Sequence, residues 1–446
     1  MTEKFKEYFK GKKVTVMRIG LLGRGVGDTA YMAEAGAVIT VVDAASQEVM
    51  QPSVNALVQY PNVTFKFGPY DFADFEAADL VWVGAGAPLD EPVLEACRAA
   101  GIRLVQSAAL FAELSGIPIV GVTGTRGKST VTHMIHHVLK ETFEEEILLG
   151  GNVRGLSNLQ LLNQVEEDSI AVMELDSWQL QGFGWAKRSP HIAVFTNFME
   201  DHMNYYHDDM DAYFADKANI FLYQGEEGVL VTTPEVFERA KKLSGATLGQ
   251  EVVLVDESII PEDANLAMPG SHNRLNAALA FEALKALGLS EEEIFSGLTS
   301  FPGVEGRLQY LGEINDVKIY NDNNATTPQA VVMGLRAVGN SDDKNVILIA
   351  GGAYKEIDAQ VLVDEIPQYC KKVVLLAGTG TDTIKDKVAC EVVESVELAV
   401  KAGLASGQPG DVLLFSPGFA SFGMFKNEYE RNDELLRVAQ GLQSEV

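Results

Sequence analysis

The sequence predicts an α/β protein made of three domains, each built on a mainly parallel sheet. Short runs rich in Val, Ile and Leu alternate with amphipathic stretches, which is typical of parallel strands covered by helices. Two glycine-rich turns, at residues 20–25 and 121–127, each follow a buried run and open a helical pattern. A length of 446 residues also fits about three domains.

The first predicted domain covers residues 1–107 and has the order strand, glycine-rich turn, helix, strand. This order is typical of a doubly wound, Rossmann-like sheet. The predicted strands are KVTVMRIG, AVITVVDA, ADLVWVGAG and IRLVQSA.

The second and third predicted domains cover residues 108–303 and 304–446. The second is predicted to resemble P-loop ATPases, and its last helix, NRLNAALAFEALKALG, has apolar positions near a 3.6-residue period. The third is predicted to be Rossmann-like. Predicted strands are PIVGVTG, SIAVMELDS and HIAVFTNF in the second domain, and VKIYND, NVILIAGG, KVVLLAG and DVLLFSPG in the third.

Composition excludes several functional classes. With 35 basic and 63 acidic residues, the net charge of −28 argues against nucleic acid or an anionic membrane surface as a partner. Three isolated cysteines, Cys97, Cys370 and Cys390, argue against disulfides and structural zinc and favour a reducing compartment, so we expect a cytoplasmic protein. The charged first 13 residues and the lack of an 18-residue apolar run predict neither a secretory signal nor membrane insertion.

The second glycine-rich turn predicts a phosphate site. Gly124 and Gly127 allow the backbone to curl around phosphate, Lys128 can reach the β- and γ-phosphates, and Ser129 can bind Mg²⁺. The helix N-terminus adds its dipole. Val122 stands where the strict G-x-x-x-x-G-K-[ST] pattern has glycine, so the loop is a variant, and the alternative is a strand–helix turn without a ligand.

The stretch GVTGTRGKST, residues 121–130, resembles the ATP loop of the Mur ligases, the amide-forming enzymes of peptidoglycan precursor synthesis. Further motifs occur in the order typical of the family, including GSHNRLN at 270–276. The resemblance implies ATP as a substrate. The ATP-binding residues that it implies are Gly124, Thr125, Gly127, Lys128, Ser129, Thr130, Asn276, Arg307 and Asp322.

The resemblance also implies a magnesium site for two ions. Glu174, His202 and Lys217 match its ligands, together with Ser129, and Lys217 matches a lysine carbamylated by CO₂. A carbamate supplies the oxygen ligands that Mg²⁺ prefers, whereas an ammonium would repel the metal. Lys128, His202 and Lys217 are the implied catalytic residues. Taken alone, Lys217 would be read as a solvated helix lysine and His202 as a structural histidine.

The glycine-rich turn of the first domain is implied to hold a uridine diphosphate. Alone, this turn and Asp43, which ends the next strand 23 residues after Gly20, would also fit a weak dinucleotide site, although Leu22 replaces one of its glycines. The family's Asp-Thr-Arg is Asp-Ala-Ala at 43–45, so this pocket is altered. The implied UDP-substrate residues are Gly23, Arg24, Asp43, Gly86 and Asn152.

The C-terminal stretch 415–431, FSPGFASFGMFKNEYER, resembles the D-glutamate-adding members of the family. That resemblance implies UDP-N-acetylmuramoyl-L-alanine and glutamate as substrates, an acyl phosphate intermediate, and Thr326, Lys355 and Ser421 as glutamate contacts. A cationic lysine and hydroxyl donors suit a substrate with two carboxylates. The alternative for Lys355 is an ordinary loop lysine.

Three departures leave the amino acid and its handedness open. Asn324 stands where the family has lysine, Glu428 where it has an aromatic residue, and Asp176 where it has serine. The alternatives are a ligase for L-glutamate or another amino acid, a folylpolyglutamate synthetase, a non-catalytic nucleotide-binding protein, and a GTPase. We expect a monomer, and the sequence names no base for the amine.

Overall fold

The computed structural model describes residues 2–444 except 22, 89, 154, 245–248, 262–263, 265, 267 and 356. It contains three mainly parallel sheets flanked by helices, which confirms the predicted α/β class. These residues divide into two compact units, one of Met1–Ile259 with Asn276–Gly297 and one of Ile260–Leu275 with Leu298–Val446. The first unit holds two of the sheets. The three-domain boundaries at 107 and 304 stay a prediction.

The first sheet has five parallel strands in the order β3-β2-β1-β4-β5. The chain moves outward from β1 to β3 and then returns to β4 on the other side of β1. This reversal opens a crevice at the carboxyl ends of β1 and β4, where ligands bind in such sheets. Its strands are β1 Lys13–Met17, β2 Val38–Asp43, β3 Val63–Phe67, β4 Leu80–Val83 and β5 Leu104–Val105; its helices are α1 Thr2–Phe9, α2 Arg24–Glu34, α3 Gln47–Leu57, α4 Pro92–Ala99 and α5 Ser107–Ser115.

The second sheet has six parallel strands in the order β11-β10-β9-β6-β8-β7. Strand β6, IVGVT, lies between β9 and β8 and is buried along its whole length. Because the three strands are parallel, the loop that follows β6 lies between the carboxyl ends of β8 and β9. The strands are β6 Ile119–Thr123, β7 Ile147–Gly151, β8 Ile170–Glu174, β9 Ile192–Phe195, β10 Val229–Thr232 and β11 Glu251–Leu254.

Seven helices are described along residues 128–300. The first follows the phosphate loop directly, as the sequence predicts. They are α6 Lys128–Thr142, α7 Ser177–Ala186, α8 Met203–Tyr206, α9 Met210–Ala218, α10 Pro234–Ser244, α11 Ser271–Ala286 and α12 Glu291–Ser300.

The third sheet has the order β12-β13-β17-β14-β15-β16 and is parallel except for β12, which pairs antiparallel with β13. Because β13, β17 and β14 are neighbours, the segments that follow them meet at one edge. The strands are β12 Gln309–Ile314, β13 Val317–Asn321, β14 Val346–Gly351, β15 Cys370–Leu376, β16 Glu391–Val393 and β17 Val412–Phe415; the helices are α13 Pro328–Val338, α14 Gln360–Tyr369, α15 Val396–Leu404 and α16 Glu428–Ser444.

The two sheets of the first unit share a continuous apolar core that runs from Phe5 to Ala240. Helix α5 packs against α7 and contributes five buried residues to this unit. The third sheet is buried on both faces by two separate clusters. No helix in the described ranges combines the length and apolar character that a membrane span needs.

Candidate active site

The phosphate loop has the backbone conformation that requires its glycines. Gly124 has φ 142° and Gly127, the N-cap of α6, has φ 84°, both in the region that favours glycine. A Cβ on Gly124 would overlap the Thr196 hydroxyl, and a Cβ on Gly127 would overlap the carboxamide of Asn276. The sequence-predicted nucleotide residue Asn276 therefore lies against the loop.

The loop is held by the segment that follows β9. The backbone N–H groups of Thr125 and Arg126 donate to the main-chain and side-chain oxygens of Asn197, each at 2.9 Å. The Thr196 hydroxyl donates to the Arg126 carbonyl at 2.6 Å. Sequence reasoning missed Thr196 and Asn197. They could have been identified as two polar residues that directly follow β9, the strand that pairs with the loop-bearing strand β6.

Lys128 crosses the phosphate loop from the first residue of α6. Its ammonium donates to the carbonyls of Gly124 at 3.1 Å and Thr125 at 3.2 Å. Ser129 and Thr130 follow in the first turn of the helix, and both are buried. A cation and hydroxyl groups thus converge where the dipole of α6 favours an anion.

Lys217 lies in the same place but is buried. Its side chain extends from α9, is 1% exposed, and donates to the Gly124 carbonyl at 2.8 Å. The ammonium lies 4.8 Å from the centre of the Tyr213 ring. Burial, followed by the charge of Lys128, holds the pKa of Lys217 well below its usual range. This environment favours the neutral amine.

Glu174 ends β8 and is 5% exposed. The backbone N–H of Asn152 donates to the Glu174 carbonyl at 2.7 Å, and the Asn152 amide lies 3.5 Å from the Glu174 carboxylate. Arg24 in turn donates to the Asn152 side-chain oxygen. The structure thus brings two predicted UDP-substrate residues together and places them beside a predicted metal ligand.

His202 lies at the N-terminus of α8 with φ 56°. Its ring centre is 4.6 Å from that of Trp178, and its Nε2 is 3.8 Å from the Asp201 carboxylate. Burial lowers the pKa of His202, Asp201 opposes the shift, and Lys128 and Lys217 add to it. All three predicted catalytic residues therefore act on one another electrostatically.

The predicted metal set combines these side chains at the carboxyl ends of β6 and β8. Across the part of the chain that the structure describes, no group of three or more His, Cys, Asp and Glu side chains could hold a metal ion. Of the four residues in the predicted metal set, only Glu174 and His202 are of these types. Within the predicted set, Ser129 and a carbamylated Lys217 would supply the other ligands.

The first sheet places the other predicted UDP-substrate residues at its carboxyl edge. Gly23 is the N-cap of α2 with φ 86°, Gly86 has φ 80°, and buried Asp43 ends β2 and accepts from the Ala45 N–H at 3.0 Å. Leu22 lies outside the described residues. A cavity of about 340 Å³ opens beside Asp43, lined by Val42, Lys66, Phe67, Gly68, Pro69, Tyr70 and Asp74.

Asp322 is a buried carboxyl of the second unit. Its oxygens accept from the Ser416 hydroxyl at 2.8 Å and from the Leu308 N–H at 3.2 Å. Burial raises the pKa of Asp322 to about 7, while its hydrogen bonds and the charge of Arg307 oppose the shift. Arg307 and Asp322 thus lie near enough to interact electrostatically.

The three predicted glutamate contacts lie on neighbouring segments. The N–H of Gly418 donates to the Ala325 carbonyl at 2.8 Å, which joins the segment of Thr326 to the segment of Ser421. Ala353 and Ala420 form an antiparallel bridge, which brings the segment of Lys355 alongside. Ser421 is buried and Lys355 is exposed.

The matches to known proteins cover both units. The Mur ligase middle domain matches residues 122–284, and the Mur ligase glutamate ligase domain matches residues 306–419. A UDP-N-acetylmuramoylalanine–D-glutamate ligase of Roseiflexus sp. (strain RS-1) is 32% identical over 467 aligned positions, which cover 96% of this chain and 98% of the relative. This chain belongs to the Mur ligase family.

A second curated relative supports the same family, and a solved structure shows the same fold. A UDP-N-acetylmuramoylalanine–D-glutamate ligase of Listeria monocytogenes is 31% identical and covers 99% of both chains. The MurF ligase of Thermotoga maritima, solved with ADP, has a TM-score of 0.60 at 15% identity and covers 99% of this chain and 97% of its own. The resemblance inferred from the sequence is confirmed, and the chain is an ATP-dependent ligase.

The structure explains one departure of the ligase from its family. Asp176 is the N-cap of α7, where its carboxylate accepts from the Gln179 N–H at 2.8 Å and the Gln179 side chain accepts from the Asp176 N–H at 3.2 Å. Aspartate and serine serve about equally well at this position. The substitution therefore preserves a helix cap while adding a negative charge near Lys217 and His202.

The other two departures lie around Arg431, which sequence reasoning missed. Arg431 is 1% exposed and donates to the side-chain oxygen of Asn323 at 2.8 Å and to the Phe419 carbonyl at 3.2 Å. The Asn324 amide donates to the Glu305 carbonyl at 3.3 Å, and the Glu428 carbonyl accepts from Asn323 at 2.9 Å. The Asn324 side chain thus has a hydrogen-bond partner, whereas Glu428 is contacted through its main chain, and nothing in the structure explains the side chain at that position.

Proposed function

We propose that this ligase joins D-glutamate to UDP-N-acetylmuramoyl-L-alanine, using ATP, in peptidoglycan precursor synthesis. The observation that carries the proposal is the similarity to D-glutamate ligases along nearly the whole chain. The cluster of Lys128, Glu174, His202 and Lys217 around the phosphate loop supports it chemically. Amide formation of this kind phosphorylates the substrate carboxylate to an acyl phosphate, which the amine of glutamate then attacks.

Lys128 is proposed to serve the first step. A carboxylate and the γ-phosphate of ATP are both anionic, so their approach is opposed by charge. An ammonium fixed at the mouth of the loop lowers that repulsion and stabilises the charge that develops on the transferred phosphoryl group. The amide of Asn276, which fills the space beside Gly127, is suitably placed for the nucleotide base, and Arg307 and Asp322 remain proposed nucleotide contacts.

The donor set fits magnesium. Glu174 provides a buried carboxylate, Ser129 a hydroxyl group, and Lys217 an amine that can be converted to a carbamate. In that reaction the nitrogen lone pair of the neutral amine forms a bond to the carbon of CO₂, and the amine proton leaves to a base. Two Mg²⁺ ions bound there would neutralise phosphate charge.

The nucleotide end of the substrate is proposed to lie along the first sheet. The N-terminus of α2, with Gly23 and Arg24, suits the diphosphate, and the cavity beside Asp43 is large enough for a pyrimidine base. Glutamate is proposed to bind between Thr326, Lys355 and Ser421. We expect the ligase to act as a monomer in the cytoplasm, and sedimentation velocity would measure its oligomeric state.

A phosphate-release assay tests the proposal. Purified ligase is incubated with ATP, Mg²⁺ and UDP-N-acetylmuramoyl-L-alanine, with D-glutamate and L-glutamate in parallel reactions. Phosphate release that requires D-glutamate and is much slower with L-glutamate supports the proposal. Equal or faster release with L-glutamate, or none with either, contradicts it.

The role proposed for Lys217 is tested separately. Lys217→Ala should abolish turnover, and millimolar acetate should restore part of it by supplying the missing carboxylate. Lys187→Ala, a lysine at the C-terminus of α7, is the matched control and should keep its activity with or without acetate. Full activity of Lys217→Ala without acetate would contradict the carbamate proposal.

A further inference from the structure

One face of α2 contacts the loop that follows β7. Arg24, Gly27 and Asp28 are spaced i, i+3 and i+4, so they lie on the same face of the helix. Arg24 contacts Asn152 at the start of this loop, and Gly27 and Asp28 contact Ser157 further along it. The face therefore joins the first sheet to the second within one unit.

Gly27 lets α2 approach the loop closely. A Cβ at this position would lie 2.6 Å from the Cβ of Ser157 and 3.3 Å from the side-chain oxygen of Gln160. Neither distance leaves room for a side chain. The helix and the loop are thus in direct van der Waals contact beside Asp28.

Asp28 is a buried acid that the proposed chemistry does not use. It is 0% exposed, and its Oδ1 accepts from the Ser157 hydroxyl at 2.5 Å and from the Leu159 N–H at 3.0 Å. Among the described residues its Oδ2 has no hydrogen-bond partner, although the Ser107 hydroxyl faces the carboxyl. Burial raises the pKa of Asp28, against these hydrogen bonds and the charge of Arg24.

Hydrogen bonds within the loop that Asp28 contacts join its two ends. The Asn158 side chain accepts from the Gly151 N–H at 2.7 Å, and the Ser157 hydroxyl oxygen accepts from the Gln160 N–H at 3.2 Å. Its first residue, Asn152, contacts both Arg24 and Glu174. A displacement of the loop at Ser157 would therefore move Asn152.

We propose that Asp28 is a positioning residue for the nucleotide-sugar substrate, acting through Ser157 and Leu159 to hold Asn152 beside Arg24 and Glu174. The inference rests on the proposed function, since it assigns Arg24 and Asn152 to that substrate. Asp28 itself does not contact substrate. Its carboxyl acts as a hydrogen-bond acceptor inside the unit.

The test compares Asp28→Ala with Asp28→Asn in the full chain. Asparagine keeps the Oδ1 acceptor and nearly the same shape, whereas alanine removes both hydrogen bonds. We expect Asp28→Ala to raise the KM for UDP-N-acetylmuramoyl-L-alanine about tenfold, as loss of a supporting contact commonly does, with the KM for ATP changed less than about twofold. Asp28→Asn should stay close to the unaltered ligase.

Thr29→Val is the matched control. Thr29 is equally buried on the same helix, but its hydroxyl donates to the Gly25 carbonyl within α2 instead of to the loop. It should lower the melting temperature without a selective change in KM. If Asp28→Ala does not fold, Ser157→Ala removes the donor on the loop side and should raise the same KM.

Hydrogen exchange measures the loop without substrate. The amides of Leu159 and Gln160 should exchange faster in Asp28→Ala than in Thr29→Val. Unchanged exchange, or a rise in both KM values alike, would overturn the inference. Failure of the unaltered ligase to turn over this substrate would instead count against the proposed function, and the exchange measurement would still decide whether Asp28 holds the loop.

Discussion

Two lysines donate to one carbonyl oxygen beside the phosphate loop, and they differ in burial. Lys128 and Lys217 donate to Gly124 at 3.1 Å and 2.8 Å. Two ammonium groups this close repel each other, and the buried one loses its charge more readily because it also lacks solvent. Lys128 is therefore suited to neutralise phosphate, and Lys217 to react with CO₂.

The first prediction concerns Lys128. Lys128→Ala should lower ATP-dependent turnover about 10²–10³-fold, since a charged contact to the transferred phosphoryl group is worth roughly 3–4 kcal/mol. Lys140→Ala, near the other end of α6, is the control and should retain full activity. Circular dichroism should show that both variants fold. Near-normal phosphate release by Lys128→Ala would mean that the loop does not hold ATP.

The second prediction concerns the glutamate contacts. Lys355→Ala should raise the KM for glutamate much more than the KM for ATP, because the lost cation serves one substrate. Asn324→Lys should lower the KM for glutamate or change the preference between its enantiomers. Lys372→Ala, a half-buried lysine paired with Glu391 at 2.8 Å, is the control. If neither Lys355→Ala nor Asn324→Lys changes the KM for glutamate, the carboxylates are bound elsewhere.

Sequence reasoning located the residues whose environment is set locally. The glycines of the phosphate loop could be predicted because strand, turn and helix follow one another directly. Asp28 could not, because its partner Ser157 lies 129 residues away. Arg431 was missed for the same reason, since it meets Asn323 across 108 residues.

At the level of elements, the same distinction applies to strands. Those with continuous apolar runs, such as β8, were predicted because both faces of a parallel sheet are buried. Strand β3, VTFKF, has one buried position and is otherwise half-buried or exposed, and β12, QYLGEI, at a sheet edge, is also mostly half-buried or exposed. Neither has a continuous apolar run, so that criterion does not identify them, although the alternation in VTFKF is itself typical of a half-buried strand.

The third prediction concerns the contact between α6 and β7. The His136 ring lies 3.3 Å from the Ile147 carbonyl, and burial lowers the pKa of His136 to about 4, with Lys140, His133 and His137 adding to the shift. A folded-state pKa below the usual 6.5 means that the unfolded chain binds the proton more readily. Stability should therefore fall as the pH drops from 6.5 towards 4.

Urea unfolding at pH 7 and pH 5 measures this effect. His136→Gln retains a donor for the Ile147 carbonyl but does not titrate, so the difference between the two midpoints should become smaller. His137→Gln is the control, since His137 faces Glu141 at 3.4 Å on the same helix. An unchanged difference in His136→Gln would show that other groups cause the acid sensitivity.

At the level of the whole molecule, net charge affects stability. With a net charge of −28, the acidic side chains repel one another more strongly in the compact folded state than in the unfolded chain. Salt screens this repulsion, because the Debye length falls from about 30 Å at 0.01 M to about 8 Å at 0.15 M. The fourth prediction is that the melting temperature at pH 7 rises over this range of NaCl. KCl should act equally, because screening depends on ionic strength. A fall would mean that ion pairs outweigh the repulsion.

The burial of Lys217 has a consequence for how an active molecule matures. In the unfolded chain this lysine is solvated and almost entirely protonated, so it reacts with CO₂ slowly, because the reaction needs the neutral amine. The lowered pKa arises from burial, which requires α9 to be packed over the loop. If Lys217 is carbamylated as proposed, folding favours the modification. Each newly made chain would then acquire its metal-binding group mainly after its central sheet is complete, and misfolded copies would be modified far less.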